Sequence, residues 1–357
     1  MKKYGINYFL GANSPSGFVS FFDELYSPEK GYRCFIIKGG PGTGKSTMMK
    51  ELADEIEKRG FEVHRIHCSS DPDSLDAIKC NELKLSVADG TSPHVIEPLF
   101  PGAVESIINL GEAWNDSKLR SEREKIMSTV RANSACHARC VRFLKTAELL
   151  TADSHRLAEK AIYEEKTALY VKRFIKRNLK PIGKSGNESK IFLSAVTPKG
   201  VIFYNDTVKS FANQIIEIDD NIGLVSSMLI ENLRVSALKS GADVITGYCP
   251  LDPTGRPEHI IIPDISVAFV RRHSFYGDTE STRTIHARRF TDNGLLSLQK
   301  QKLAFNKKAA DEMINEAVVS LEQAKKIHDE LEEIYISAMD FNKLDEIKKQ
   351  TLKRIFE

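Results

Sequence analysis

The sequence predicts an α/β fold that occurs twice in one chain, each copy being a mainly parallel sheet with flanking helices and a helical hairpin extension. Two observations favour this fold class. Short apolar runs bounded by turn residues alternate with helical stretches, which is typical of βαβ units. Sequence blocks also recur in the same order about 180 residues apart, and a period of that length indicates duplicated domains rather than a solenoid.

The repeated blocks extend from the N-terminal region into the C-terminal third of the chain. The clearest pair is 9–12 (Phe-Leu-Gly-Ala) and 192–195 (Phe-Leu-Ser-Ala). Agreement in both order and spacing favours duplication over coincidence. The remaining pairs of blocks are 35–49 with 215–229, 60–72 with 241–253, 82–87 with 264–269, and 144–150 with 321–327.

The order of elements can be predicted for the first copy. Apolar runs at 34–38, 61–67 and 83–88 are predicted strands. A helix is predicted over 44–59, because Gly60 provides a stop signal at its end. This alternation of strands with helical segments is what a mainly parallel sheet requires.

The predicted domains are 1–182 and 190–357. Each ends in a charged, periodic region that we interpret as a helical hairpin, at about 112–180 and 295–357. The segment 183–189, which contains glycine and serine, is the predicted linker. A chain of 357 residues is long enough for two such domains.

The composition excludes several classes of protein. The 51 basic and 49 acidic residues leave a net charge of +2, which argues against a nucleic-acid or membrane partner. No apolar run reaches the roughly 18 to 20 residues of a membrane helix. The six cysteines are scattered, which favours reduced thiols and a cytoplasmic location.

The strongest motif follows the apolar run 34–38 and has the Walker A spacing, Gly-x₄-Gly-Lys-Ser. Glycines allow backbone N–H groups to converge on phosphate oxygens without obstruction by Cβ atoms. A helix that begins near the lysine directs its unpaired N–H groups and positive dipole end at the same anion. The predicted nucleotide-binding residues are Gly39, Gly40, Pro41, Gly42, Thr43, Gly44, Lys45, Ser46 and Thr47.

The motif also predicts ATP and Mg²⁺ as ligands. Lys45 is expected to reach the β- and γ-phosphates, and the Ser46 hydroxyl to coordinate Mg²⁺. A second metal ligand is normally an acid at the end of a neighbouring strand, and Asp89, which closes the run 83–88, is the predicted one. Lys45 and Asp89 are therefore the predicted catalytic residues.

Comparison of the two copies favours Asp89 over other acids. Arg271 stands opposite Asp89 in the second copy, whereas Asp252 stands opposite Asp71. Because Asp71 has a counterpart in a copy without the lysine, a turn role is favoured for it. The alternatives to Asp89 are Asp71, Asp73 and Asp76. The candidates for activating water are Glu82 and His94, although a surface loop is the favoured interpretation of His94.

The second copy has a degenerate loop. In a frame shifted by 180 residues, Leu224 stands opposite Gly44 and Val225 opposite Lys45. Without the glycine and the lysine, this loop is not expected to hold phosphate. The sequence therefore predicts duplicated P-loop NTPase-like domains of which only the first binds a nucleotide.

The motif residues resemble those of a known family. Residues 39–47, together with 89–94 (Asp-Gly-Thr-Ser-Pro-His) and 192–200 (Phe-Leu-Ser-Ala-Val-Thr-Pro-Lys-Gly), resemble a family of uncharacterised bacterial tandem P-loop NTPases. The resemblance covers nearly the whole chain. It implies the fold and ATP binding, and it brings no substrate.

Three functions are compatible with these residues. The favoured one is a Mg²⁺-dependent ATPase, a hydrolase whose helical hairpins transmit the nucleotide state to a protein or small-molecule partner. The first alternative is a small-molecule or nucleotide kinase that holds its acceptor between 89–102 and the second domain. The second is a scaffold that binds nucleotide without hydrolysing it.

Three further patterns receive a structural interpretation. Residues 342–345 (Asn-Lys-Leu-Asp) match a guanine-reading motif but lie in a charged helical stretch of the wrong copy. Cys136 and Cys140 lie one helical turn apart, which favours a buried helix face over a metal site. An arginine finger for the first site is conceivable, but salt bridges or surface charge are favoured. The arginines concerned are Arg271, Arg272, Arg283, Arg288 and Arg289.

Overall fold

The computed structural model describes residues 5–356. The first copy begins with a short strand and a β-hairpin, continues as an α/β unit and ends in three helices. Its elements are β1 (Ile6–Tyr8), β2 (Gly11–Ser14), β3 (Gly17–Ser20), β4 (Arg33–Lys38), α1 (Lys45–Lys58), β5 (His64–His67), β6 (Leu75–Cys80), β7 (Leu85–Asp89), β8 (Glu105–Asn109), α2 (Asp116–Ser121), α3 (Arg123–Glu159) and α4 (Glu164–Asn178).

The second copy repeats this order, with one additional short helix. Its elements are β9 (Glu188–Ile191), β10 (Ser194–Thr197), β11 (Gly200–Phe203), α5 (Asn205–Phe211), β12 (Gln214–Asp219), α6 (Leu224–Lys239), β13 (Val244–Cys249), β14 (Asp252–Ile262), β15 (Val267–Arg271), β16 (Arg283–His286), α7 (Asn293–Leu298), α8 (Lys300–Ile336) and α9 (Phe341–Phe356). The mixed α/β class and its duplication are confirmed.

Each copy forms a six-stranded sheet with the same strand order. The orders are β1-β5-β6-β7-β4-β8 and β9-β13-β14-β15-β12-β16. One strand of each sheet, β6 or β14, is antiparallel to both neighbours, and the other pairings are parallel. The sheets are thus mostly parallel, as predicted, but β6 was not among the predicted strands.

The first predicted helix and the strand after it differ slightly in their limits from the sequence expectation. The helix α1 ends at Lys58, and Gly60 has the positive φ of 91° expected of a stop residue. Phe61 still donates its backbone N–H to the Ile56 carbonyl at 3.4 Å. Since Phe61 belongs to the helix end, strand β5 begins only at His64.

The two copies contact each other through the first segment of each. Phe9 and Phe192 exchange reciprocal backbone hydrogen bonds, each 2.9 Å between N and O. These two phenylalanines occupy equivalent positions in the repeated blocks, so the contact is nearly self-complementary. The Phe21 ring, which is partly buried, stacks on Phe192 at a centroid distance of 4.6 Å, and Phe9 and Phe192 are fully removed from water.

The long helices α3 and α8 pack antiparallel to each other. Leu144 and Ala147 of α3 lie with Ile314 and Leu321 of α8 in one buried cluster. Asparagines bridge the pair near both ends, from Asn133 Nδ2 to the Ala324 carbonyl and from Asn306 Nδ2 to Asp153 Oδ2, each at 2.8 Å. Cys140 lies in the same cluster, so a buried helix face is the structural role of this cysteine.

The helices that follow the long pair are exchanged between the copies. Val171 of α4 packs into the core of the second sheet and α6, whereas Ile355 of α9 packs into the core of the first sheet and α1. Two backbone hydrogen bonds also cross between the copies. Asn115 N donates to the Ala338 carbonyl (2.8 Å), and Asp292 N donates to the Ala161 carbonyl (2.7 Å). Each helical extension therefore covers the other copy's sheet. The domain boundaries at 1–182 and 190–357 stay a prediction.

Two further features concern the cysteines and the possibility of a membrane-spanning helix. All six cysteines are unpaired. Within residues 5–356, no helix combines the length and apolar character that crossing a membrane requires.

Candidate functional site

The predicted nucleotide loop joins β4 to α1. Gly42 and Gly44 have φ angles of 64° and 82°, a region that side chains other than glycine rarely adopt. The Thr43 hydroxyl donates to the Gly40 carbonyl at 2.8 Å and holds the turn together. Helix α1 begins at Lys45, so Ser46 and Thr47 lie in its first turn and their backbone N–H groups belong to the helix N-terminus.

The two predicted catalytic residues lie side by side at the carboxyl edge of the first sheet. Asp89 is the last residue of β7, whose neighbour β4 leads into the loop. Lys45 Nζ lies 3.6 Å from Asp89 Oδ2 and donates to the carbonyls of Gly39 (3.0 Å) and Gly40 (2.7 Å). Asp89 Oδ1 accepts from Thr91 N (2.8 Å), which leaves Oδ2 directed at the lysine.

The donors available to Mg²⁺ at this edge are oxygen atoms. Asp89 contributes a carboxylate and Ser46 a hydroxyl. The Ser46 hydroxyl oxygen accepts a hydrogen bond from the backbone N–H of Leu75 at 3.0 Å, which positions it and ties α1 to the start of β6. Mg²⁺ commonly uses one or two protein oxygens together with phosphate and water, so this donor set fits the ion.

The alternative acids and one base candidate have other roles. Asp71 accepts from the Ser74 hydroxyl at 2.8 Å and closes a turn, as the comparison of copies predicted. Asp73 is exposed and pairs with Lys199 at 2.5 Å. Glu82 precedes β7 and therefore lies at the opposite edge from Asp89, where it accepts from Glu62 N at 3.0 Å. Its predicted role in activating water is wrong for this reason.

His94 is not the surface histidine that the sequence favoured. It is 7% exposed, and its Nε2 lies 3.2 Å from Oδ1 of Asp76, which is 3% exposed. The rings of Phe18 and Phe22 pack against the imidazole. Burial by itself lowers the pKa of His94, but Asp76 and Asp89 outweigh it, so the pKa is raised. The one sequence signal was an acid inside the apolar run 75–78.

Helix α8 of the second copy covers the loop of the first. The Gly42 N–H donates to Glu332 Oε1 at 3.3 Å. A Cβ atom on Gly40 would lie 2.6 Å from the Tyr335 ring, and one on Gly42 would lie 2.7 Å from the Glu332 carbonyl oxygen. These glycines are therefore required by the packing of α8 as well as by the loop. No local sequence pattern indicated this contact between α8 and the loop.

The second loop is shorter than the first. Five residues separate Lys38 from Gly44, but only three separate Asp219 from Gly223, although each glycine has a positive φ and directly precedes its helix. Gly223 is therefore the counterpart of Gly44, and Leu224 rather than Val225 is the counterpart of Lys45. The frame predicted from sequence was wrong by one position, because it assumed loops of equal length.

An internal carboxylate occupies the helix N-terminus in the second copy. Asp220, which is 4% exposed, accepts from Ile222 N (3.1 Å) and from Ser226 N (2.8 Å). These are amides of the kind that a phosphate would require, and the fixed negative charge repels an incoming anion. His155 of α3, at the position equivalent to Glu332, lies with Nε2 2.9 Å from the Ile222 carbonyl.

Arg271 completes the closure of the second loop. Its Nη1 donates to Glu258 Oε1 at 3.0 Å, and a Cβ atom on Gly223 would lie 2.6 Å from its guanidinium carbon. Burial disfavours the charged guanidinium, but Glu258 and Asp220 outweigh it and raise the pKa of Arg271. Arg272 pairs with Glu217 at 3.6 Å. Both arginines are thus held by salt bridges in their own copy, as the sequence favoured.

A cavity of about 360 Å³ lies beside this second loop. Its lining includes His155, Arg256, Glu258, Arg271 and Lys307. The walls carry charges of both signs, so the lining does not select one ligand class.

The possible guanine-reading motif is helical. Residues 342–345 form the first turn of α9, and Asp340 Oδ1 caps that helix by accepting from Asn342 N at 3.0 Å. Asp345 pairs with Lys348 at 3.0 Å within the helix. The motif is thus a capped helix start, in agreement with its interpretation from sequence.

Comparison with protein-family models, with curated proteins and with solved structures finds no match for this chain. The resemblance to tandem P-loop NTPases therefore depends on the motif residues alone.

Proposed function

We propose that the chain binds Mg²⁺-ATP in the first copy and hydrolyses it slowly, coupling nucleotide state to a conformational change. The observation that carries this proposal is the meeting of Lys45 and Asp89, 3.6 Å apart, between a glycine loop and the N-terminus of α1. Nucleotide phosphates require a cation and helix N-terminal amides, and the accompanying divalent ion requires an acid. These groups lie together here at adjacent strand ends.

Each residue would act through charge and position. The amides at the start of α1 and the Lys45 ammonium would hold the phosphates and stabilise the negative charge of the transferred phosphoryl group. An incoming phosphate offers Lys45 a charged acceptor in place of the neutral Gly39 and Gly40 carbonyls, which strengthens its hydrogen bonds. Ser46 and Asp89 would hold Mg²⁺, which supplies charge neutralisation when it is bound.

The contact of Glu332 with the loop supports coupling to conformation. Its carboxylate accepts from Gly42 N, an amide that a phosphate oxygen would also use. Two anions cannot share that amide without repulsion, so nucleotide binding must displace Glu332 and with it the end of α8. Because α8 packs along α3, this displacement would reach both copies.

A phosphotransferase is the second candidate. The segment after Asp89, which the sequence proposed as an acceptor site, exposes Val95 (63%), Leu99 (76%) and Phe100 (51%). Its base is anchored by Lys38 Nζ, which donates to the carbonyls of Gly90 and Ile96, both at 2.9 Å. An apolar, anchored segment next to the proposed γ-phosphate position suits a small-molecule or protein acceptor.

We assign the chain to the tandem P-loop NTPases on its motif residues, and to the cytoplasm on its six unpaired cysteines. The balanced charge favours a protein or small-molecule partner over nucleic acid.

Replacing Lys45 by Ala should abolish both ATP-dependent thermal stabilisation and phosphate release. Ligand binding raises the free energy of unfolding by about 2.7 kcal/mol at a ligand concentration 100 times the Kd, and this gain disappears when the site is lost. Melting temperatures with and without Mg²⁺-ATP, together with an inorganic phosphate assay, measure the two effects.

The matched control is Lys58→Ala, since Lys58 lies on the same helix with a side chain 74% exposed. It should retain the full melting shift. If Lys45→Ala kept that shift, the assigned site would be wrong. Phosphate release without any acceptor supports the ATPase, release only with a metabolite extract supports the phosphotransferase, and binding without turnover supports the scaffold.

A further inference from the structure

A buried group of metal-ligating side chains lies next to the proposed nucleotide site. Cys68, Asp76 and His94 each offer one ligand atom, and these atoms lie within 4.8 Å of one another. The geometry points to a binding site for a borderline divalent cation such as Zn²⁺ at these three residues, separate from the Mg²⁺ ligands Ser46 and Asp89.

The sheet order brings the three side chains together. Cys68 follows β5, Asp76 lies in β6 and His94 lies in the loop after β7, and these three strands are neighbours in the first sheet. Since the residues are spread over 27 positions of the chain, they have no compact ligand spacing. Only the folded sheet makes them a cluster.

Two polar atoms of the cluster have no hydrogen-bond partner within residues 5–356. They are Asp76 Oδ2 and His94 Nδ1, on side chains only 4% and 5% exposed. The contact between Asp76 Oδ1 and His94 Nε2 at 3.2 Å leaves these second atoms uncommitted. A buried polar atom without a partner is costly, and a cation bound among the three side chains would supply the missing interaction.

The donor types select the metal. A thiolate, an imidazole and a carboxylate form a set that suits Zn²⁺, whereas Mg²⁺ prefers oxygen ligands alone. Three protein ligands leave one tetrahedral position for water. On binding, the Cys68 S–H bond breaks, a metal–sulfur bond forms and one proton is released to solvent; no redox change is involved.

The second copy has equivalent positions for all three ligands, but two of them carry different residue types. Sheet register places Glu258 at the position of Asp76, and Cys249 and Tyr276 correspond to Cys68 and His94. The two Glu258 oxygens accept from Arg271 (3.0 Å) and from Tyr276 (2.9 Å). Both oxygens of Glu258 are committed, and although the buried His259 lies 3.6 Å from Glu258, the described residues of this copy bring no third ligand atom to them. This copy is therefore not expected to bind the metal and provides an internal control.

Metal content of the whole chain tests the site without nucleotide, so its outcome is independent of the proposed ATPase. The protein is stripped with chelator, incubated with Zn²⁺, separated from free ion by gel filtration and analysed by plasma mass spectrometry. We expect about one Zn²⁺ per chain in the unaltered protein and less than about 0.1 in Cys68→Ser and His94→Gln. Cys249→Ser should retain the full content.

Co²⁺ gives a second readout, and its first result comes from the unaltered protein and requires no variant to fold. The unaltered protein loaded with Co²⁺ should show a thiolate-to-cobalt charge-transfer band, and Cys68→Ser should lose it while its circular dichroism stays unchanged. His328→Ala, which alters a separate histidine–carboxylate group on α8, should leave the band intact. Absence of the band in the unaltered protein, or its persistence in Cys68→Ser, would overturn the site.

Discussion

At the scale of single residues, Glu332 is the feature that most affects the proposed site. Its carboxylate accepts a hydrogen bond from Gly42 N within a glycine loop next to a helix N-terminus. That environment favours any anion, whether a side chain or a phosphate. If the proposed site binds a nucleotide, Glu332 would therefore compete with it for the Gly42 amide.

Replacing Glu332 by Ala should tighten ATP binding. A hydrogen bond of this kind contributes about 1 kcal/mol, so its loss as a competitor should lower the Kd about fivefold. Isothermal titration with a slowly hydrolysed ATP analogue and Mg²⁺ measures the change. Glu333→Ala, an exposed neighbour on the same helix, should leave the Kd as it is; equal or weaker binding in Glu332→Ala would show that Glu332 does not compete.

At the scale of elements, the strand–loop–helix unit occurs twice, but the two loops differ in length and in the groups that lie at the helix N-terminus. The second loop is two residues shorter, counting five residues between Lys38 and Gly44 against three between Asp219 and Gly223. Its helix amides are taken by Asp220, and Arg271 packs against its glycine. Loop length and an internal carboxylate, rather than a missing lysine alone, separate the two copies.

Restoring the lysine should therefore not restore binding. Neither Leu224→Lys nor Val225→Lys should add a second nucleotide site, because Asp220 still occupies the amides of Ile222 and Ser226. The stoichiometry from isothermal titration should stay at one ATP per chain. The double variant Lys45→Ala/Leu224→Lys should bind none, and two nucleotides bound by either single variant would refute the role of Asp220.

At the scale of the whole molecule, the exchanged helices make one interdependent body of two related halves. Helix α9 covers the first sheet, α4 covers the second, and the ends of α8 and α3 reach the loops of the opposite copies. Neither half can bury its apolar surface without the other's helices. Displacement of one helix at one loop therefore affects both cores.

Cutting the chain between its halves should leave the particle intact. A protease site inserted between Lys184 and Ser185, which are both exposed, should be cleaved without a change in elution volume on gel filtration. The halves should separate only in denaturant, because the exchanged helices bury large apolar areas. As a control, residues 1–182 expressed alone should not give a compact monomer; separation of the cut halves in native buffer would contradict the exchange.

Much of the fold could be predicted because it is encoded locally. The apolar runs at 34–38 and 83–88 and the glycine loop before α1 are short-range signals, and the strands and helix occur there. Strand β6 was missed because Asp76 and Lys79 interrupt its apolar pattern. The alignment of the second loop with the first was wrong by one position. It assumed equal loop lengths and so could not detect that the second loop is two residues shorter.

The duplicated α/β architecture and the position of the glycine loop with Lys45 are encoded in the order of nearby residues. Three features come from the folded chain instead: the contact of Glu332 with Gly42, the cluster of Cys68, Asp76 and His94, and the exchange of the helical extensions. These contacts join residues far apart in the chain. They follow from how sheets and helices bury apolar surface together, which no local pattern records.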